Sequence, residues 1–135
     1  MENLKKQSTQ IFESTNSKLE HYFSELKSKN STDKKALSAS HYIFLTKLLD
    51  SIKDIDALSA AVSKSMIDAG KNNDAERIKA LNQLFDVCNI HRQNVEEYFN
   101  ATQDFLKQDS ANTIQALKQK TDELIRKTLM LRDLF

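Results

Sequence analysis

Apolar side chains recur along this chain in steps of three, four and seven, the spacing that gathers them on one side of a helix. The first stretch carries Leu4, Ile11, Phe12, Leu19, Tyr22, Phe23 and Leu26, with Lys, Gln, Ser and Glu between them. Leu4 to Ile11, and Phe12 through Leu19 to Leu26, are steps of seven, so the pattern predicts a helix from about Asn3 to Lys29. The polar run Ser28-Lys29-Asn30-Ser31-Thr32-Asp33 interrupts it, because short polar side chains compete for backbone bonds and favour caps and turns.

A second helix is predicted from about Asp33 to Ala69. Its seam reads Leu45, Leu48, Ile52, Ile55, Ser59, Val62 and Met66, widened by Phe44, Leu49 and Leu58. Gly70 stands where a left-handed residue would end the helix. Lys71-Asn72-Asn73 makes the turn, and Asn73 and Glu76 have the spacing of a capping box for the next helix.

The third helix starts near Asp74, with a seam of Ile78, Leu81, Phe85, Cys88, Arg92, Val95, Phe99, Thr102 and Leu106. Leu84, His91, Tyr98 and Phe105 form a flanking row. The segment Gln108-Asp109-Ser110-Ala111-Asn112 leaves two readings open. Asp109 or Ser110 caps a fourth helix, or one helix runs through. The later seam is Ile114, Leu117, Thr121, Leu124, Thr128, Leu131 and Phe135. A break gives a four-helix bundle, whereas a continuous helix of ~60 residues would be ~90 Å long and would need a partner chain. The fold class is all-α in either case. An antiparallel bundle of three or four long amphipathic helices is expected, with coiled-coil-like packing in one domain, 1–135. Threonines, Ser59 and Arg92 on the seams are candidates for setting register. The apolar ending Leu129-Met130-Leu131-Arg132-Asp133-Leu134-Phe135 is expected to dock, on this chain or on another.

Composition supports helices and narrows the function. The chain has no proline and one glycine, Gly70, which leaves little for the turns of a sheet protein. Twenty basic and nineteen acidic side chains nearly cancel and are interspersed, unlike the basic stripe of a nucleic-acid binder, so no nucleic-acid partner is expected. No apolar run approaches the ~20 residues of a membrane span, and the first residues lack a signal-peptide core. With Cys88 as its single cysteine the chain forms no internal disulfide, and a cytoplasmic location is expected.

Catalytic patterns are sparse. One glycine leaves no room for the usual phosphate loops, and neither HExxH nor a Glu-x-x-His pair occurs. Cys88 and His91 stand three apart and could supply two zinc ligands, with His21 and His41 as reserves; a small buried thiol and a histidine at the edge of the core is the favoured reading. No catalytic, cofactor or metal residues are assigned, and no enzyme activity or cofactor is expected.

The segment Asn73-Asp74-Ala75-Glu76-Arg77-Ile78-Lys79-Ala80-Leu81-Asn82-Gln83, the element Asn94-Val95-Glu96-Glu97-Tyr98 and the polar amphipathic stretch Thr102 to Lys127 together resemble the phasins. That family coats polyhydroxyalkanoate granules, and the resemblance spans residues 71–127. It implies a non-catalytic coat protein whose apolar helix faces adsorb to polyester while mixed-charge faces look to water. The binding surface this selects is Phe85, Val95, Phe99, Leu106, Leu117 and Leu124. The alternative is a helical adaptor, secretion chaperone or regulator that grips another protein through its seams. A homo-oligomer is expected in either role.

Overall fold

The computed structural model describes residues 2–28, 34–107 and 113–135. The expected turns and caps at 29–33 and 108–112, Asp109 and Ser110 among them, lie outside the described residues, as do the side chains of Ser28, Lys34 and Leu106. Four helices follow in order: α1 Glu2–Ser28, α2 Lys34–Lys71, α3 Ala75–Lys107 and α4 Thr113–Arg132. α3 and α4 pack against each other, so the chain reverses between them and a single continuous helix is excluded. Each helix packs on its neighbours in the cycle α1–α2–α3–α4–α1. Cross-helix pairs fix the directions. Tyr22 meets His41, Arg92 meets Asp56, and Tyr98 meets Thr121, so consecutive helices run antiparallel in an up-down-up-down bundle.

The α2–α3 corner corrects two expectations. Gly70 is helical and does not have a positive φ; Asn73 takes the left-handed conformation, at φ 55°. The amide of Asp74 reaches the Ala69 carbonyl at 3.0 Å and that of Asn73 reaches Gly70 at 3.2 Å, the paired bonds of a Schellman ending. Asparagine tolerates this conformation better than other residues with a Cβ, because its short side chain is polar. The cap of α3 is Asp74, not Asn73: its Oδ1 accepts the Arg77 amide at 3.2 Å.

The buried rows also differ from the most apolar rows. In α1 the inner seam is Ser8, Phe12, Thr15, Leu19, Tyr22 and Leu26. In α2 it is Leu37, His41, Phe44, Leu48, Ser51, Ile55, Leu58, Val62 and Ala69. Leu45, Ile52 and Met66 are half-buried flanks, and Leu49 is exposed. In α3 the row Leu84, His91 and Tyr98, expected at the flank, lies fully inside with Leu81, Cys88, Val95 and Thr102. Arg92, expected on the seam, is on the surface, bound to Asp56 and Glu96. A guanidinium placed inside would need full compensation, and the α2–α3 rim supplies carboxylates in water instead. The middle of the α4 seam holds, with Leu117, Thr121, Leu124, Thr128 and Leu131 buried, while its ends differ: Ile114 is half-buried and Phe135 is exposed.

Two apolar clusters occupy the interior. One, around Leu19, Tyr22, Leu26, Phe44, Leu48, Val95, Tyr98, Leu117 and Leu124, fills the end where α1 finishes and α2 starts. The other, around Phe12, Ile55, Leu58, Val62, Leu81, Leu84, Cys88 and Leu131, fills the opposite end.

Candidate binding surface

The six residues selected by sequence do not share one environment. Val95 and Leu117 are fully buried and Leu124 nearly so, all three in the first cluster. Phe99 is half-buried against that same cluster, and Phe85 is half-buried against the second. The side chain of Leu106 lies outside the described residues. In the closed bundle these positions are mostly interior, and Val95, Leu117 and Leu124 can meet an external surface only after the helices separate.

What the closed bundle does present is an apolar face on the first half of α2. Tyr42 is 73% exposed, Ile43 57% and Leu49 48%. Tyr42 and Leu49 are seven residues apart, about two turns, and so lie on one line of the helix. Beside them a groove of about 360 Å³ runs between α1 and α2, with Lys18, His21 and Glu25 on one wall and Ile43, Phe44 and Lys47 on the other. The sequence carried a signal for this face. Tyr42-Ile43-Phe44-Leu45 is a run of four apolar residues, and successive helical residues turn by about 100°, so the run cannot face inward throughout. A second exposed apolar group lies at the end of α4, where Met130 and Leu134 face outward while Leu131 is buried. Phe135 sits under the Lys5 ammonium at 5.9 Å, so part of the apolar ending docks on α1 of this chain.

Beneath these faces the interior is unusually polar for an all-helical core. Thr15, Thr102, Thr121 and Thr128 return their hydroxyls to carbonyls four residues back, at 2.9, 2.8, 2.7 and 2.7 Å. Thr15 Oγ1 also lies 2.9 Å from Ser51 Oγ, which ties α1 to α2. Tyr98 donates to Thr121 at 3.0 Å, since Thr121 spends its own hydrogen on Leu117. Burial raises the Tyr98 phenol, with Thr121 opposing. Burial likewise raises Tyr22, aided by Tyr98 and Glu25. Both phenols are therefore neutral donors.

Cys88 is buried and its thiol is pushed up by burial, against a lowering hydrogen bond from Ser59. His91 is fully buried, further inside than the core edge expected of it. Burial depresses its pKa to about 4, so the ring is neutral at pH 7. Among the described residues no group of three His, Cys, Asp or Glu side chains gathers as a metal site. No helix of the described chain is long and apolar enough to cross a membrane. Comparison with protein families, curated proteins and solved structures found no significant match to this chain.

Proposed function

We propose that this chain is a non-catalytic binding protein that acts through its amphipathic helix faces, with an apolar particle surface such as a polyhydroxyalkanoate granule as its target. The observation that carries the reading is the exposed face of Tyr42, Ile43 and Leu49 on a helix whose neighbours are polar. Apolar area of this kind gains about 25 cal/mol per Å² when a surface covers it. The resemblance of residues 71–127 to phasins supports polyester as the surface. In this reading the α2 face makes first contact. Separation of the helices then turns Phe85, Val95, Phe99, Leu117 and Leu124 toward the particle, and the interspersed charges stay in water. The chain is cytoplasmic in this reading, and copies adsorb side by side as an oligomeric coat.

The test is co-sedimentation of the purified chain with polyhydroxybutyrate particles in high salt, with excess albumin as competitor. Saturable, salt-resistant binding that weakens several-fold in a Tyr42→Ser/Ile43→Ser/Leu49→Ser variant is the expected result. A folded chain that does not sediment with the particles overturns it.

The groove between α1 and α2 favours a second reading, an adaptor that seats an amphipathic helix of another protein. Its walls combine Ile43 and Phe44 with Lys18, Lys47 and Glu25, an apolar floor rimmed by charge. A fixed stoichiometry with one protein, lost on Ile43→Lys, would select this reading over the granule coat.

A further inference from the structure

His41 and His91 take no part in the reading above, yet they are the two titratable rings placed fully inside the bundle. His41 projects from α2 among Tyr22, Phe44 and Tyr98, at ring-centroid distances of 5.6, 6.4 and 6.1 Å. His91 projects from α3 and meets the Phe12 ring of α1 edge-on at 5.0 Å. The Tyr22 hydroxyl lies 2.7 Å from His41 Nδ1, but His41 Nε2 and both ring nitrogens of His91 have no partner among the described residues.

The groups that face these rings bring no negative charge to a cation. From α1 come the Tyr22 phenol and the Phe12 ring, and from α3 the Tyr98 phenol. From α4, Thr121 is held by Tyr98, and Thr128 is bonded to its own Leu124 carbonyl. Cys88, one turn before His91, is an uncharged thiol held by Ser59 of α2. The charges nearby look outward: Glu25 influences Tyr22, while Asp56, Arg92 and Glu96 pair on the surface of α2 and α3.

We propose that His41 and His91 form a proton-operated latch, whose protonation opens the bundle and releases its amphipathic faces. An imidazolium carries two N–H donors. Tyr22 can accept one from His41, and no protein group accepts the other or either one from His91. The charged rings therefore reach water only by parting the helices. Two layers are affected together, one at the aromatic cluster of Tyr22, Phe44 and Tyr98 and one at Phe12.

The direction follows from the two states. Burial alone lowers each ring from 6.5 to about 4. Between those values the open chain binds more protons than the closed one. Closed-state stability is therefore full above 6.5, falls as pH drops toward 4, and loses nothing more to these rings below that. Each ring shifts the opening equilibrium about 27-fold between pH 7.5 and 5.0, so the pair shifts it about 700-fold. Most of that interval lies above the range where ordinary carboxylates titrate.

The latch is tested on the full chain by urea denaturation at pH 7.5, 6.5, 5.5 and 5.0, beside His41→Gln, His91→Met and the double variant. The wild type is expected to lose about 700-fold in its folding equilibrium constant, each single variant about 27-fold, and the double variant almost nothing. Should a variant fail to fold, imidazole NMR of the wild type decides the matter. Two rings that stay neutral in the closed bundle down to pH 5, while amide exchange from the open state accelerates, support the latch. A wild-type midpoint that does not move between pH 7.5 and 5.0, a double variant that keeps the wild-type slope, or buried rings that titrate near 6.5 in the closed bundle would overturn it.

Discussion

The Tyr22 hydroxyl and His41 Nδ1, from α1 and α2, lie 2.7 Å apart inside the bundle, and either tautomer of the ring leaves Nε2 without a protein partner. This pair is a direct polar tie between the two helices at the aromatic end of the core, where Tyr22 also stacks on Phe44 at 4.0 Å. Tyr22→Phe keeps the stacking and removes the hydroxyl, so Nδ1 is left buried and unpaired as well. The expected loss is about 1–3 kcal/mol at pH 7.5, the cost of stranding a buried acceptor. The urea midpoint, at unchanged slope, measures it. A Tyr22→Phe/His41→Phe double variant is expected to recover part of the loss, since removing both partners strands neither.

Core and flank positions within the sequence-selected surface separate by stability. Leu124→Ala empties space in the first cluster and is expected to cost about 2–5 kcal/mol. Phe85, half-buried at the rim, keeps part of its ring in water, so Phe85→Ser is expected to cost clearly less than Leu124→Ser. Thermal or urea unfolding of the three variants ranks them. Equal losses would place Phe85 deeper than its half-buried position.

How far these features were legible in the sequence depends on what fills the seam. In α4 the apolar step and the buried step coincide, because Leu117, Leu124 and Leu131 share the row with threonines that bond their own helix. Spacing therefore found that row from Leu117 to Leu131 and overextended it at Ile114 and Phe135. In α2 and α3 the buried row is interrupted by His41, Ser51 and His91, while Leu45, Ile52, Phe85 and Phe99 beside it are strongly apolar. Ranking positions by hydrophobicity therefore found Leu48, Ile55 and Val62 of α2 and Leu81, Cys88, Val95 and Thr102 of α3, but drew half-buried neighbours onto the seam and placed Arg92 inside. Some of these polar residues have a partner within reach, as Tyr22 is for His41 and Thr15 for Ser51, whereas His91 has none among the described residues, and a single chain's spacing reveals neither case. The α2–α3 corner was misread for a related reason. Gly70 invites a left-handed ending, but the helix runs on to Lys71 and Asn73 takes that conformation instead.

That corner yields a pair of opposed predictions. Asp74→Ala removes the cap from the Arg77 amide and is expected to cost about 1 kcal/mol. Asn73→Gly relieves a left-handed residue that carries a Cβ and is expected to be neutral or stabilising by up to about 1 kcal/mol, whereas Asn73→Ala is expected to destabilise by about 1–2 kcal/mol. The three midpoints, compared with wild type, test the assignment of both residues. An Asn73→Ala variant as stable as wild type would contradict the left-handed turn.

Cys88 offers a direct reading of how the bundle opens. Its side chain is fully buried, and burial raises its thiol above the ordinary range, so both access and ionisation disfavour reaction in the closed state. A thiol reagent must wait for an opening that exposes this stretch of α3. A chain of ordinary stability, about 5 kcal/mol or more, is then expected to label at least ~10³-fold more slowly than the same chain in urea. The link to the rest of the core is the informative part. If α3 is exposed only when the whole bundle opens, Leu124→Ala on α4 should accelerate labelling by the factor by which it weakens the folding equilibrium. If α3 peels away by itself, labelling should be faster than global stability allows and indifferent to Leu124→Ala. Leu81, Leu84 and Cys88 pack in one cluster with Phe12 of α1, Ile55, Leu58 and Val62 of α2 and Leu131 of α4, so separating α3 uncovers residues of all four helices. The first outcome is therefore expected, with labelling and urea-derived stabilities changing in proportion.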